Sequence, residues 1–139
     1  MPQSFAGSLD TNVLLRLLLN DLPAQHQATL RLFQQAQKPM IVADVAMIEV
    51  VFVLGRNYRF TRPQIVEIMI GLLSRPEISA NVRLLEAAFQ LFLDHSALAF
   101  EDCYLAVVAE YRNALPLWTF DRQLAAKTPN AKLVPLNTK

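Results

Sequence analysis

Three times along the chain a short apolar run meets an aspartate and gives way to a helical pattern: at Leu9-Asp10-Thr11-Asn12, at Val42-Ala43-Asp44 and at Phe120-Asp121-Arg122. A strand followed by a helix does not return as a hairpin. Repetition of this junction therefore commits the chain to an α/β fold, a short, mostly parallel sheet with helices on both faces. In such sheets ligands gather beyond the carboxyl ends of the strands, which is where these junctions stand.

The rest of the pattern fills in the order of elements. A strand over 4–9 leads to a helix over 13–19 that Thr11 and Asn12 start, and Pro23 opens a surface helix reaching Gln37. An apolar strand over 40–43 precedes a helix from Val45 to about Tyr58, with Asp44 as its cap. Thr61, Pro63 and Gln64 resemble a capping box with an early proline, predicting a helix to about Ser74 that Pro76 ends. A strand over 77–80 and a helix capped by Asn81 follow. The next helix begins near Phe100, with Tyr104, Leu105, Val108 and Tyr111 as its apolar face. After Pro116 come a strand over 117–120, a short helix from Asp121 to Ala126 and an edge strand over 132–134. No repeat or linker divides the chain, so one domain over 1–139 is expected.

A chain of 139 residues buries a core without disulfides or structural zinc, and the lone Cys103 reads as a reduced, buried thiol suited to the cytoplasm. The start at Met1-Pro2-Gln3-Ser4 has no basic lead into an apolar stretch. The longest apolar runs, 45–55 with Glu49 inside and 68–73, are too short or interrupted to span a bilayer. Neither secretion nor a membrane is expected. Apolar residues make up 53% of the chain and charged residues 18%, richer than a soluble monomer needs, so a self-association or partner surface is expected. The net charge of +1 does not by itself mark a nucleic-acid binder. With four of the twelve acids set aside for a metal site, however, thirteen basic residues leave the remaining surface mildly basic.

Glu49 is the anomaly that points to chemistry, because every other residue over 45–54 is apolar. Either it escapes to solvent at the margin of the helix, or it faces inward and needs a cation, since an unpaired buried charge is costly. Asp10, Asp102 and Asp121 each also read as ordinary helix-start acids. If the four converge on one sheet edge, each pair repels by about 4 kcal/mol at about 4 Å and an effective dielectric near 20. A hard cation removes that conflict. Oxygen ligands without His or Cys select Mg²⁺ or Mn²⁺ over zinc and suit phosphoryl chemistry.

Four segments in order resemble the PIN-domain nucleases, especially the VapC-like toxins of bacterial toxin–antitoxin pairs. They are Leu9-Asp10-Thr11-Asn12-Val13-Leu14, Ile48-Glu49-Val50, Phe100-Glu101-Asp102-Cys103 with Leu105-Ala106, and Trp118-Thr119-Phe120-Asp121-Arg122. The resemblance implies a PIN-like three-layer α/β/α fold in which Asp10, Glu49, Asp102 and Asp121 bind Mg²⁺ (or Mn²⁺) and catalyse. Asn12 and Thr119 would support those ligands. It further implies an endoribonuclease leaving a 5′-phosphate, a homodimer, and a cognate antitoxin protein laid across the active groove. Family members often carry an acid shortly before the third aspartate; here Ala99 and Phe100 stand there, which makes Glu101 a candidate to replace or assist Asp102.

Arg56, Tyr58, Arg59, Phe60 and Arg62 form a basic and aromatic cluster able to hold unpaired RNA, and Arg16, Arg59 and Arg122 are candidate phosphate contacts. The apolar swath of Ile65, Ile68, Met69, Leu72 and Leu73 offers a partner surface or core packing, while His26 and His95 read as surface or structural residues. Two other functions share this pattern: a catalytically silent PIN-like binding module, and an aspartate-based phosphatase or phospho-receiver. Asn12 in place of a second aspartate, and the lack of a lysine beside Thr119-Phe120, count against the latter.

Overall fold

The computed structural model describes residues 4–136, which fall into two compact units that divide between Asn81 and Val82. In the first the order is β1 (Gly7–Ser8), α1 (Thr11–Leu18), α2 (Pro23–Gln35), β2 (Met40–Ile41), α3 (Asp44–Arg56), α4 (Arg62–Leu73) and β3 (Ile78–Ser79). In the second it is α5 (Val82–Asp94), α6 (Phe100–Tyr111), β4 (Leu117–Thr119), α7 (Arg122–Lys127) and β5 (Ala131–Leu133). Every strand pairing is parallel, as the repeated strand-to-helix junctions require. The architecture is mixed α/β, consistent with the expected PIN-like α/β/α fold.

In the first unit β2 is the central strand, with Gly7 opposite Met40 and Met40 opposite Ile78. The strands are shorter than expected, but the backbone ladder continues past their ends: Leu9 N–H donates to Ile41 O and Val42 N–H to Ser79 O, each at 2.9 Å. Helix starts follow local chemistry. Asp10, rather than Thr11 or Asn12, caps α1, and α3 begins at Asp44 itself with Ala43 in the cap position. The Thr61–Gln64 capping box forms as expected, with Thr61 N–H donating to Gln64 Oε1 at 2.9 Å. Leu14 of α1, Met47, Val50 and Leu54 of α3, and Met69 of α4 are buried with almost no exposure. Burying each such side chain stabilises by about 1.5–3 kcal/mol.

In the second unit α5 packs against α6. Phe100 stacks on Phe89 at 4.5 Å between centroids and meets Phe92 edge-on at 5.5 Å. The buried face of α6 is Phe100, Cys103, Ala106, Val107 and Ala109, not the expected one: Leu105 and Tyr111 are exposed. Apolar residues occur on every side of α6, so periodicity does not choose a face. The small Cys103, Ala106 and Ala109 let a neighbour approach closely, and that side wins. Among the described residues no helix is long and apolar enough to cross a membrane.

Candidate functional site

The first unit holds two of the expected acids. Asp10 is exposed at the end of the β1 segment, and its Oδ1 accepts from Val13 N–H at 2.9 Å. Thr11, the first residue of α1, donates from Oγ1 to Glu49 Oε2 at 3.0 Å, which joins the start of α1 to the middle of α3. Asn12 is exposed in the same first turn. Glu49 does not face inward. It is exposed on a side of α3 shared with Val45 and Phe52, which are 72% and 58% exposed. The apolar run around Glu49 thus marks a helix whose solvent side is also apolar, and Glu49 avoids the cost of burial by lying there. Thr11 was missed by sequence reasoning because its partner lies 38 residues away.

Arg16 differs from its expected role as a phosphate contact. Its side chain is only 11% exposed and pairs with Asp21 at 3.0 Å, while Nη2 donates to Tyr58 Oη at 3.3 Å. Tyr58 in turn donates to Asp21 Oδ2 at 2.5 Å. That hydrogen bond, aided by the Arg16 charge and opposed by burial, holds the Asp21 carboxyl below its ordinary range. The three residues tie the last turn of α1 to the segment after α3, which withdraws Arg16 and Tyr58 from ligand binding. Of the basic and aromatic cluster, Arg56 lies 5.6 Å over the Phe52 ring, and Arg59 is exposed in a left-handed conformation (φ 59°) between α3 and α4. His26 is structural as expected, its Nδ1 lying 2.7 Å from Arg16 O.

The second unit holds the other two acids. Asp102 sits half-buried in the first turn of α6 beside exposed Glu101. Burial, then the nearby charges of Asp121 and Glu101, push its carboxyl above the usual range. Asp121 caps α7, with Oδ1 accepting from Leu124 N–H at 3.1 Å. Its own N–H donates to Thr119 Oγ1 at 2.9 Å, so Thr119 shapes the turn that presents it. Asn130, just before β5, donates from Nδ2 to Ala106 O and Glu110 Oε1, fixing this end of the unit to α6. Arg122 is exposed next to Asp121.

A metal would find only carboxylate oxygens here, the donor set that hard divalent cations prefer, and the anions around Asp102 carry a repulsion that a cation would offset. On that chemistry the residues fit. Among the described residues, no group of three or more His, Cys, Asp or Glu side chains stands close enough to hold an ion. No curated protein matches the chain. The sequence profile of the PIN domain, a nuclease fold whose members typically use divalent metals, matches residues 8–128. That match runs through both units and takes in Asp10, Glu49, Asp102 and Asp121, and on it the chain belongs to the PIN-domain family.

Proposed function

We propose that this PIN-domain chain is a Mg²⁺- or Mn²⁺-dependent endoribonuclease and the toxin of a VapC-like toxin–antitoxin pair. The observation that carries the reading is the PIN-domain match over residues 8–128, which takes in all four acids. Asp102 adds to it, since burial and then the charges of Asp121 and Glu101 push its carboxyl up and a cation would offset that. In this reading residues 1–139 act as one nuclease domain, and Asp10, Glu49, Asp102 and Asp121 are the catalytic metal ligands. The bound cation would acidify a water and offset the charge of an in-line displacement at phosphorus. The chain's own contribution is orientation. Thr11 holds one Glu49 oxygen, amides at two helix starts hold Asp10 and Asp121, and Thr119 sets the turn before Asp121. Asn12 gives further support beside Asp10, Glu101 assists Asp102, and Arg59 and Arg122 meet substrate phosphates.

Exposed Val45 and Phe52 beside Glu49 support a protein partner, an antitoxin or a second copy in a homodimer, since such side chains gain by being covered. The place of action is the cytoplasm. A silent binding module is the second reading, favoured by the absence of a three-acid ligand group among the described residues. Incubation with an RNA panel decides between them: cleavage with Mg²⁺ or Mn²⁺, abolished by EDTA and by Asp10→Ala, is expected. Metal-independent cleavage, or an unaffected variant, refutes the assignment. Expression in a bacterial host should arrest growth, with relief by the product of a small neighbouring gene.

A further inference from the structure

We infer that Trp118 and Phe120, with Lys132, form a stacking platform that seats two successive unpaired bases of single-stranded RNA beside Asp121. The ligand class rests on the nuclease reading; the platform rests on separate observations. Over Leu117, Trp118, Thr119 and Phe120 the burial alternates half-buried, exposed, half-buried, exposed. That period of two puts both aromatic residues on one side of the segment, about 6–7 Å apart. Their exposure is large, 56% for Trp118 and 67% for Phe120, and the chain holds no other tryptophan.

Charge decides the occupant. Lys132 of β5 is exposed and stands directly across the parallel ladder from Trp118, so its ammonium lies on the same side as the indole. Arg122 is exposed one residue past Asp121. Aromatic faces flanked by cations match a polymer of flat bases on a phosphate backbone, whereas a buried protein interface favours removal of lysine from its centre. Leu133, also exposed, is in register with Thr119 and so belongs to the other side of the ladder. The platform ends at Asp121, so bases seated on it would bring the phosphodiester beyond them toward that carboxylate. It also predicts a substrate preference: unpaired over duplex RNA, because a paired base offers no free face.

The single tryptophan makes the test direct. The full chain in EDTA, where no cleavage occurs, is titrated with a single-stranded oligouridylate of about eight nucleotides. Saturable quenching of Trp118 fluorescence is expected, with much weaker quenching by an abasic sugar–phosphate oligomer of the same length or by duplex RNA. Trp118→Leu and Phe120→Leu, which keep apolar bulk but lose the ring, should each weaken binding about tenfold, read from the fluorescence anisotropy of an end-labelled oligouridylate because Trp118→Leu leaves no tryptophan. Quenching that the abasic oligomer reproduces, or unchanged affinity in both variants, overturns the platform. So does a change in oligomeric state on Trp118→Leu with RNA affinity intact, which would assign the face to a protein. Base-dependent quenching by a chain that never cleaves RNA with Mn²⁺ would retain the platform and remove the nuclease reading. Cleavage without base-dependent quenching would do the reverse.

Discussion

The acids of the two units live in opposite circumstances. In the first, Asp10 and Glu49 are exposed and each accepts a hydrogen bond, from a helix amide and from the Thr11 hydroxyl. In the second, Asp102 is half-buried and its nearest electrostatic influences are two more carboxylates. A carboxylate supplied with donors is at rest without a cation, whereas one surrounded by like charge is not. Within the second unit, then, the start of α6 is where a cation would relieve the most repulsion, whereas the acids of the first unit are already satisfied by donors.

The largest expected effect separates function from stability. Asp102→Asn should lower metal-supported RNA cleavage by about a hundredfold or more while holding or raising the melting temperature, because it removes a repelled charge. Asp10→Ala should lower cleavage as well, but at a cost of about 1 kcal/mol in stability for the lost α1 cap. Equal stability losses in the two variants would erase the contrast.

Next comes the Arg16–Asp21–Tyr58 network. Arg16→Met should destabilise by about 2–3 kcal/mol in a denaturant titration, because the side chain is nearly buried and has a carboxylate and a phenol as partners. Tyr58→Phe should cost about 1 kcal/mol. A wild-type response from Arg16→Met would mean that the network holds nothing.

The pH dependence divides the units in the same way. Asp102 has a raised folded value, so its folded carboxyl takes a proton more readily than the unfolded one, whose value is about 3.9. Acidification from neutrality through that raised value thus favours the folded state at this position while neutralising the carboxylate proposed as a metal ligand. Asp21 has a lowered folded value, so its stabilising contribution is present above about 3.9 and is lost only as pH falls through the lower folded value. Carboxyl NMR titration should show Asp102 titrating above and Asp21 below the ordinary range, with Asp121→Asn moving Asp102 down.

The smallest effect concerns Thr11. Thr11→Val should cost under about 1 kcal/mol in stability yet weaken Mn²⁺ binding about tenfold, with Thr11→Ser restoring it. Unchanged Mn²⁺ affinity would reduce Thr11 to a surface contact.

What could be read in the sequence follows the range of the interactions. Thr61 and Asp121 act on amides three residues away, so those helix starts were legible, whereas the α1 cap fell on Asp10, just before the expected Thr11 and Asn12. The family's segments, too, are contiguous. The orientation of Glu49 and the buried face of α6 were not legible, because both helices are apolar nearly all round and only packing selects a side. Arg16 was misjudged for a related reason: its ion-pair partner Asp21 lies just past the end of α1, outside helical pair spacing, and its other partner Tyr58 is 42 residues distant.

Calorimetric titration of the full chain with Mn²⁺ tests the central assignment most directly, comparing wild type with Asp10→Asn, Glu49→Gln, Asp102→Asn and Asp121→Asn. A shared ion predicts one binding event that every substitution weakens, most strongly at Asp102. Affinity lost only on changing Asp102 or Asp121, or no Mn²⁺ binding by the wild-type chain, would contradict a four-carboxylate site.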